Sequence, residues 1–221
     1  MDAVVFDWDG TLVDTLPAMY GANIDVLAAF GVAFNEARYR EAYVPDWRLM
    51  YRRLGVPERH LEAAGAQWLA RYRAAPPARP LPGVGAALLR LASAGFALGL
   101  VTAGHRALVE EQLDHLGLRG LLPVRVCGDD AVPAKPDPEP LHRALMALDA
   151  GAGPGGATYV GDAPDDMRMA RAAGTRAIGI VSILGNAADL RAAGADAVHA
   201  SVAEWVEAFL GPAPGLPETI G

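Results

Sequence analysis

The chain has almost no cysteine and almost no lysine. A single cysteine, Cys127, among 221 residues excludes an internal disulfide and any multi-cysteine metal site, and it agrees with a reducing compartment. No apolar run reaches transmembrane length and no secretory signal pattern opens the chain, so a cytoplasmic protein without a membrane partner is expected. Basic charge is also scarce: 19 Lys and Arg against 26 Asp and Glu give a net charge of -7, which argues against nucleic acid as a partner. An anionic substrate would then need a local cation. Of the 19 basic residues 18 are arginine, leaving Lys135 as the one lysine. A chain that uses arginine almost everywhere has kept one compact ammonium.

What is present is organised around the stretch Val4-Val5-Phe6-Asp7-Trp8-Asp9-Gly10-Thr11-Leu12-Val13-Asp14. Val4 to Phe6 form a short apolar run with β-branched residues, as in a central strand covered on both faces. Asp7 stands at its carboxyl end and Asp9 two residues on, so both carboxylates project to one side. Gly10 permits a sharp turn and Thr11 adds a hydroxyl. Crowded acids of this kind are tolerated when a divalent cation compensates them, and oxygen ligands suit Mg²⁺. An acidic turn after a strand is the plainer alternative. An EF-hand is excluded because its glycine and glutamate would fall at the wrong positions.

The composition, 52% hydrophobic and 20% charged, is that of a globular protein large enough for a core domain with an insertion. Helical patterns cover Thr15 to Phe30, Asn35 to Tyr43, Asp46 to Leu54 and Glu58 to Ala75, with no convincing strand among them. Residues 76–83, with four prolines and a closing glycine, break the pattern. Strands then alternate with helices: strands at Phe96–Val101, Val124–Cys127, Ala157–Val160, Ala177–Ile180 and an edge strand at Asp196–Val198; helices at Val84–Ala94, His105–Leu116, Asp137–Leu148, Asp165–Ala173, after Asn186, and Val202–Leu210. The expected class is α/β, a doubly wound, Rossmann-like parallel sheet with an inserted all-helical block. The division is a core at 1–14 and 82–212, a helical cap at 15–81 and a tail at 213–221. Gly151 to Gly156 precede a strand instead of following one, so they read as a connector and not a phosphate loop.

Ligands of such sheets bind at the carboxyl ends of the strands. Standing there are Asp7 and Asp9, then Thr102, then Lys135, then Asp162 with Asp165 and Asp166. A carboxylate can attack phosphorus, a second acid can move a proton, hydroxyl and N–H groups can hold phosphate oxygens, and lysine with Mg²⁺ can neutralise charge.

These four segments, Asp7-Trp8-Asp9-Gly10-Thr11-Leu12-Val13-Asp14, Val101-Thr102, Lys135-Pro136 and Gly161-Asp162-Ala163-Pro164-Asp165-Asp166, resemble the four motifs of the haloacid dehalogenase superfamily. The helical insertion between the first two resembles the cap of its phosphoglycolate phosphatase-like branch. The resemblance implies a Mg²⁺-dependent phosphatase acting on a small phosphorylated metabolite such as phosphoglycolate or a sugar phosphate. It implies Asp7 as nucleophile of an aspartyl-phosphate, Asp9 as acid and base, and Lys135 as the bridge between phosphate and nucleophile. Gly10, Thr102 and Ala103 would contact the phosphoryl group, Asp7, Asp162 and the carbonyl of Asp9 would hold the metal, and Asp166 would support them. Ala103-Gly104-His105 and Ala163 depart from the usual pattern, which affects substrate details.

Dehalogenation is disfavoured because Asp9 is present, and the phosphonate-cleaving branch because residues 15–81 contain no lysine. A phosphomutase shares the aspartyl-phosphate and stays open, as does a receiver-like phospho-acceptor, although a receiver lacks the insertion and an acid at the Asp9 position. In the cap, Tyr43, Asp46, Trp47, Arg48, Arg52 and Arg53 are candidates for leaving-group contacts, although arginines on cap helices are more often solvated. His105 faces the site or is an exposed helix-start residue, and Asp165 reads as a solvated one. Monomer and homodimer are both compatible.

Overall fold

The computed structural model describes residues 2–130, 133–149 and 156–212. The Gly151–Gly155 part of the expected connector and the tail at 213–221 lie outside the described residues. The first strand, β1 (Ala3–Phe6), is followed by α1 (Leu16–Ala29), α2 (Glu36–Ala42), α3 (Trp47–Arg53), a 3₁₀ turn at Glu58–His60 and α4 (Leu61–Ala74). The alternating part is α5 (Val84–Ser93), β2 (Ala97–Val101), α6 (Arg106–His115), β3 (Val124–Val126), α7 (Glu139–Ala147), β4 (Ala157–Gly161), α8 (Pro164–Ala172), β5 (Arg176–Ile180), α9 (Ala187–Ala192), β6 (Ala197–His199) and α10 (Val202–Leu210). The expected helix from Glu58 is in fact two pieces: after Pro57 the chain closes one tight turn, His60 N–H to Pro57 carbonyl at 2.8 Å, before α4 begins.

Six parallel strands form one sheet in the order β3-β2-β1-β4-β5-β6. Because side chains alternate along a strand, β1 serves two cores. Val4 and Phe6 join a cluster with Leu88 and Leu91 of α5, Leu113 of α6 and Trp205 of α10. Ala3 and Val5 join the opposite cluster with Leu141 of α7 and with Met167 and Met169 of α8. Both faces of β1 are dry, so its carboxyl tip is held between two packed layers. The chain runs outward from β1 through β2 to β3 and then crosses back to β4 on the other side of β1, so the direction reverses between β1 and β4 and opens a crevice beside Asp7.

The helical block α1–α4 has a third cluster of its own, built on Leu27, Tyr39, Tyr51 and Leu61. Ala163 and Leu184, from beyond the sheet edge, also belong to it, so the helical block sits over the crevice. Two short passages lead into and out of the block, and they touch: Val13 bridges to Pro80 and Asp14 N–H donates to the Arg79 carbonyl at 2.9 Å. Among the described residues no helix is long and apolar enough to cross a membrane.

Candidate active site

The structure brings Asp7, Asp162, Asp166 and Lys135 to one point. All four are buried. The ammonium of Lys135 donates to Asp7 Oδ1 at 2.6 Å and to Asp166 Oδ1 at 2.8 Å, with a side chain only 6% exposed, and lies 5.4 Å from the ring centre of Tyr159. Burial alone would lower its pKa, but Asp166 and Asp7 outweigh burial and hold it charged.

Asp166 is fixed from every side. Its Oδ2 accepts from the N–H groups of Asp162 and Ala163 at 3.1 and 3.0 Å, and the Tyr159 hydroxyl lies 3.1 Å from Oδ1. This is the reaching-back half of a helix capping box on α8; Ala163 has no hydroxyl to supply the other half. The arrangement requires Gly161, where a Cβ would stand 2.5 Å from the Asp166 carboxyl. Asp166 is therefore spent on internal hydrogen bonds, which makes it a support for Lys135 and for the turn that carries Asp162.

Asp162 has the opposite character. Its Oδ2 is buried with no hydrogen-bond partner among the described residues, and a 3.5 Å contact from the Thr11 hydroxyl reaches Oδ1. Oxygens of Asp7, Asp162 and Asp166 lie within 4.8 Å of one another. Burial, reinforced by Asp7 and Asp166, pushes Asp162 well up against the opposing pull of the Ser182 hydroxyl and Lys135. Burial likewise pushes Asp7 up to about 7, helped by Asp166 and Asp9 and opposed by Lys135. An orphaned carboxylate oxygen among like charges fits a divalent cation, which would satisfy both defects at once. Gly10 keeps that place clear. It has φ +78°, and a Cβ there would come within 2.5 Å of Asp162 Oδ2.

Asp9 stands apart from the cluster of three. Its Oδ1 accepts from the Thr15 hydroxyl at 2.7 Å. Thr15 occupies the N-cap position of α1 but makes no cap bond with its side chain, because that hydroxyl is turned to Asp9. Burial raises Asp9 and the Thr15 bond opposes it. Thr102 is buried at the end of β2, and its Oγ1 accepts from Gly104 N–H at 2.9 Å, which leaves the hydroxyl proton to be given to a ligand. The neighbouring Ala103 is exposed.

Other expected contacts separate. Tyr43, Asp46 and Arg53 line a cleft of about 560 Å³ that also includes Lys135, Asp165 and Arg168. Arg48 and Arg52 instead pair outward with Glu62 and Glu58, at 2.6 Å each, and Trp47 packs edge-on against Tyr51. His105 takes the exposed helix-start role: it is 71% exposed and paired with Asp129 at 3.0 Å. Asp165 pairs with Arg168 at 2.7 Å. Arg40, which sequence reading passed over, lines the cleft and is steadied by the Ile183 carbonyl at 3.2 Å. Its spacing from Tyr43 and Val44, on the same helix end, was the available signal.

A prediction follows from the carboxylates. The folded-state pKa of Asp7, about 7 against 3.8, means the folded protein holds a proton there that a cation must displace. A divalent cation at about a hundred-fold above its Kd should raise Tm by ~5–10 °C at pH 8, and by much less at pH 5. Differential scanning fluorimetry with and without the cation measures both. An equal rise at the two pH values would mean that the cation binds elsewhere.

A family model described as haloacid dehalogenase-like hydrolase matches residues 4–180. The chain is 32% identical over 182 residues to an N-acetylmuramic acid 6-phosphate phosphatase of Pseudomonas aeruginosa, covering 80% of each chain. It is 32% identical over 213 residues to a phosphoglycolate phosphatase of Chromobacterium violaceum, covering 91% of this chain and 93% of that one. The fold superposes on the crystal structure of a hydrolase from Pseudomonas syringae with a TM-score of 0.83, at 22% identity over 96% of this chain and all of that one.

Proposed function

This chain belongs to the haloacid dehalogenase-like hydrolases and is a phosphatase, as its relatives are; from that premise we propose Mg²⁺-dependent hydrolysis of a small phosphate monoester through an aspartyl-phosphate on Asp7. The observation that carries this reading is the Lys135 ammonium locked between Asp7 and Asp166, next to the orphaned oxygen of Asp162.

In this reading Asp7 attacks phosphorus and the ester P–O bond breaks. Lys135 opposes the burial that raises Asp7 and offsets charge on the phosphoryl oxygens. The free proton of the Thr102 hydroxyl and the N–H groups of the following turn hold those oxygens. Asp9 gives a proton to the leaving oxygen and later takes one from the water that hydrolyses the aspartyl-phosphate. When bound by Asp7, Asp162 and the Asp9 carbonyl, Mg²⁺ would supply charge neutralisation of the phosphoryl group. The helical block closes over the crevice and excludes water during the first transfer.

The substrate is a small phosphorylated metabolite whose remaining part carries a carboxylate. The two named relatives act on phosphate esters of acids, and Arg40 and Arg53 line the cleft. A hydrolysis screen with Mg²⁺ over 2-phosphoglycolate, sugar-acid phosphates and neutral sugar phosphates tests both statements. The acid esters should show the highest kcat/KM, and chelation should abolish turnover until Mg²⁺ is restored. Full activity in metal-stripped protein contradicts the metal role; a preference for neutral esters contradicts the substrate class.

A further inference from the structure

A hydrogen-bond chain crosses from the strand tip to the helical block. Trp8, between Asp7 and Asp9 in the sequence, is fully buried, and its indole Nε1 donates to Gln112 Oε1 on α6 at 2.6 Å. Gln112 Nε2 then donates to the Tyr72 hydroxyl oxygen on α4 at 2.7 Å. Chemistry fixes the direction of this chain. An indole N–H can only donate, so the amide oxygen must face Trp8 and the amide NH₂ must face Tyr72. The phenol oxygen is used as an acceptor and its own proton remains to be given away; among the described residues no protein group takes it.

The ring that carries this proton is well held. Tyr72 stacks on Trp68 with centroids 5.0 Å apart and planes 7° from parallel. Burial, with the nearby charge of Asp9, pushes the phenol up to about 12, so it is a donor and not an anion at neutral pH. Asp9 itself has Oδ1 occupied by Thr15. An oriented donor with no acceptor among the described residues thus stands on α4 of the helical block, joined through Gln112 to the Trp8 that separates Asp7 from Asp9 and within reach of the Asp9 charge.

We propose that the Tyr72 hydroxyl donates a hydrogen bond to the leaving-group oxygen beside Asp9, with Gln112 as the positioning residue that aims it. The inference rests on the phosphatase reading above. As the P–O bond breaks, its electron pair passes to the leaving oxygen, Asp9 supplies the proton, and Tyr72 stabilises the developing charge without giving up its own.

Leaving-group dependence separates this role from a merely structural one. An alkoxide needs help to leave, whereas p-nitrophenolate needs little. Tyr72→Phe keeps the ring and its stack on Trp68; it should lower kcat/KM about ten-fold on the best alkyl phosphate of the screen and by less than about two-fold on p-nitrophenyl phosphate. Gln112→Glu accepts from both Trp8 and Tyr72, so it keeps the contact between α6 and α4 while consuming the phenol proton. It should reproduce the alkyl-selective loss. Equal losses on both esters, no loss on either, or normal behaviour of Gln112→Glu would reduce the chain to an anchor and overturn the donor role. Wild-type protein that hydrolyses neither ester with Mg²⁺ overturns the phosphatase reading and the donor role together, so the two failures are told apart.

Discussion

Asp7→Asn should be inactive and more heat-stable than the wild type. The activity half follows from its proposed role: with no nucleophile there is no covalent intermediate, and losses on this scale reach ~10⁴ or more. The stability half follows from the sign of its pKa. Burial raises Asp7 from 3.8 to about 7, so between those values the folded protein binds more protons than the unfolded one, and stability falls as pH rises. The contribution is fully present below about pH 4 and is lost as pH passes 7. At pH 8 without metal the wild type therefore carries the full cost of a buried carboxylate among Asp9, Asp162 and Asp166. The amide removes that charge and leaves Lys135 with Asp166. Thermal melts in chelator should place Asp7→Asn above the wild type at pH 8 and level with it near pH 4. A variant that melts lower at pH 8 would show that the Lys135 bond outweighs the desolvation.

Lys135→Arg should fold and still fail. The ammonium sits in a space bounded by Asp7, Asp166 and the Tyr159 ring, with contacts of 2.6 and 2.8 Å, and a guanidinium is wider and fixes its donors in a plane. Loss of one charge-stabilising donor of this kind costs ~10²–10³ in kcat. Lys135→Ala should lose at least as much and should also melt lower, because truncating one member of a buried ion pair costs ~3–5 kcal/mol. Near-normal turnover in Lys135→Arg would remove this lysine from the chemistry.

The parts of this site legible in the sequence are those carried by short segments at strand ends. Asp7 follows an apolar run in sequence, and Thr102, Lys135 and Asp162 each follow a strand or turn signal, so a parallel sheet brings them to one edge without knowledge of its strand order. Asp166 was legible as a member of the group but not in its detail, because its hydrogen bonds depend on Gly161 having no side chain. What could not be read were contacts between distant elements. Trp8 and Gln112 are 104 residues apart and Gln112 and Tyr72 are 40 apart, and neither pair has a local pattern. Thr15 was legible as a helix start; that its hydroxyl serves Asp9 depends on the angle at which α1 leaves the strand tip. Of the cap candidates, Tyr43, Asp46 and Arg53 line the cleft while Arg48 and Arg52 face outward, a distinction fixed by how α3 packs on α4 and not by composition.

The central claim, that Asp7 carries the phosphoryl group, is tested most directly by acid-quenched peptide mass spectrometry during turnover. Asp9→Asn with p-nitrophenyl phosphate is the informative background, since that leaving group needs little acid help while loss of the base slows the hydrolytic step and lets the intermediate accumulate, an effect on the order of 10²–10⁴ in rate. The account predicts one phosphoryl adduct on the peptide containing Asp7 in Asp9→Asn, and none in the Asp7→Asn, Asp9→Asn double variant. Phosphorylation of any other residue, or turnover in Asp7→Asn at a rate near the wild type, would contradict it.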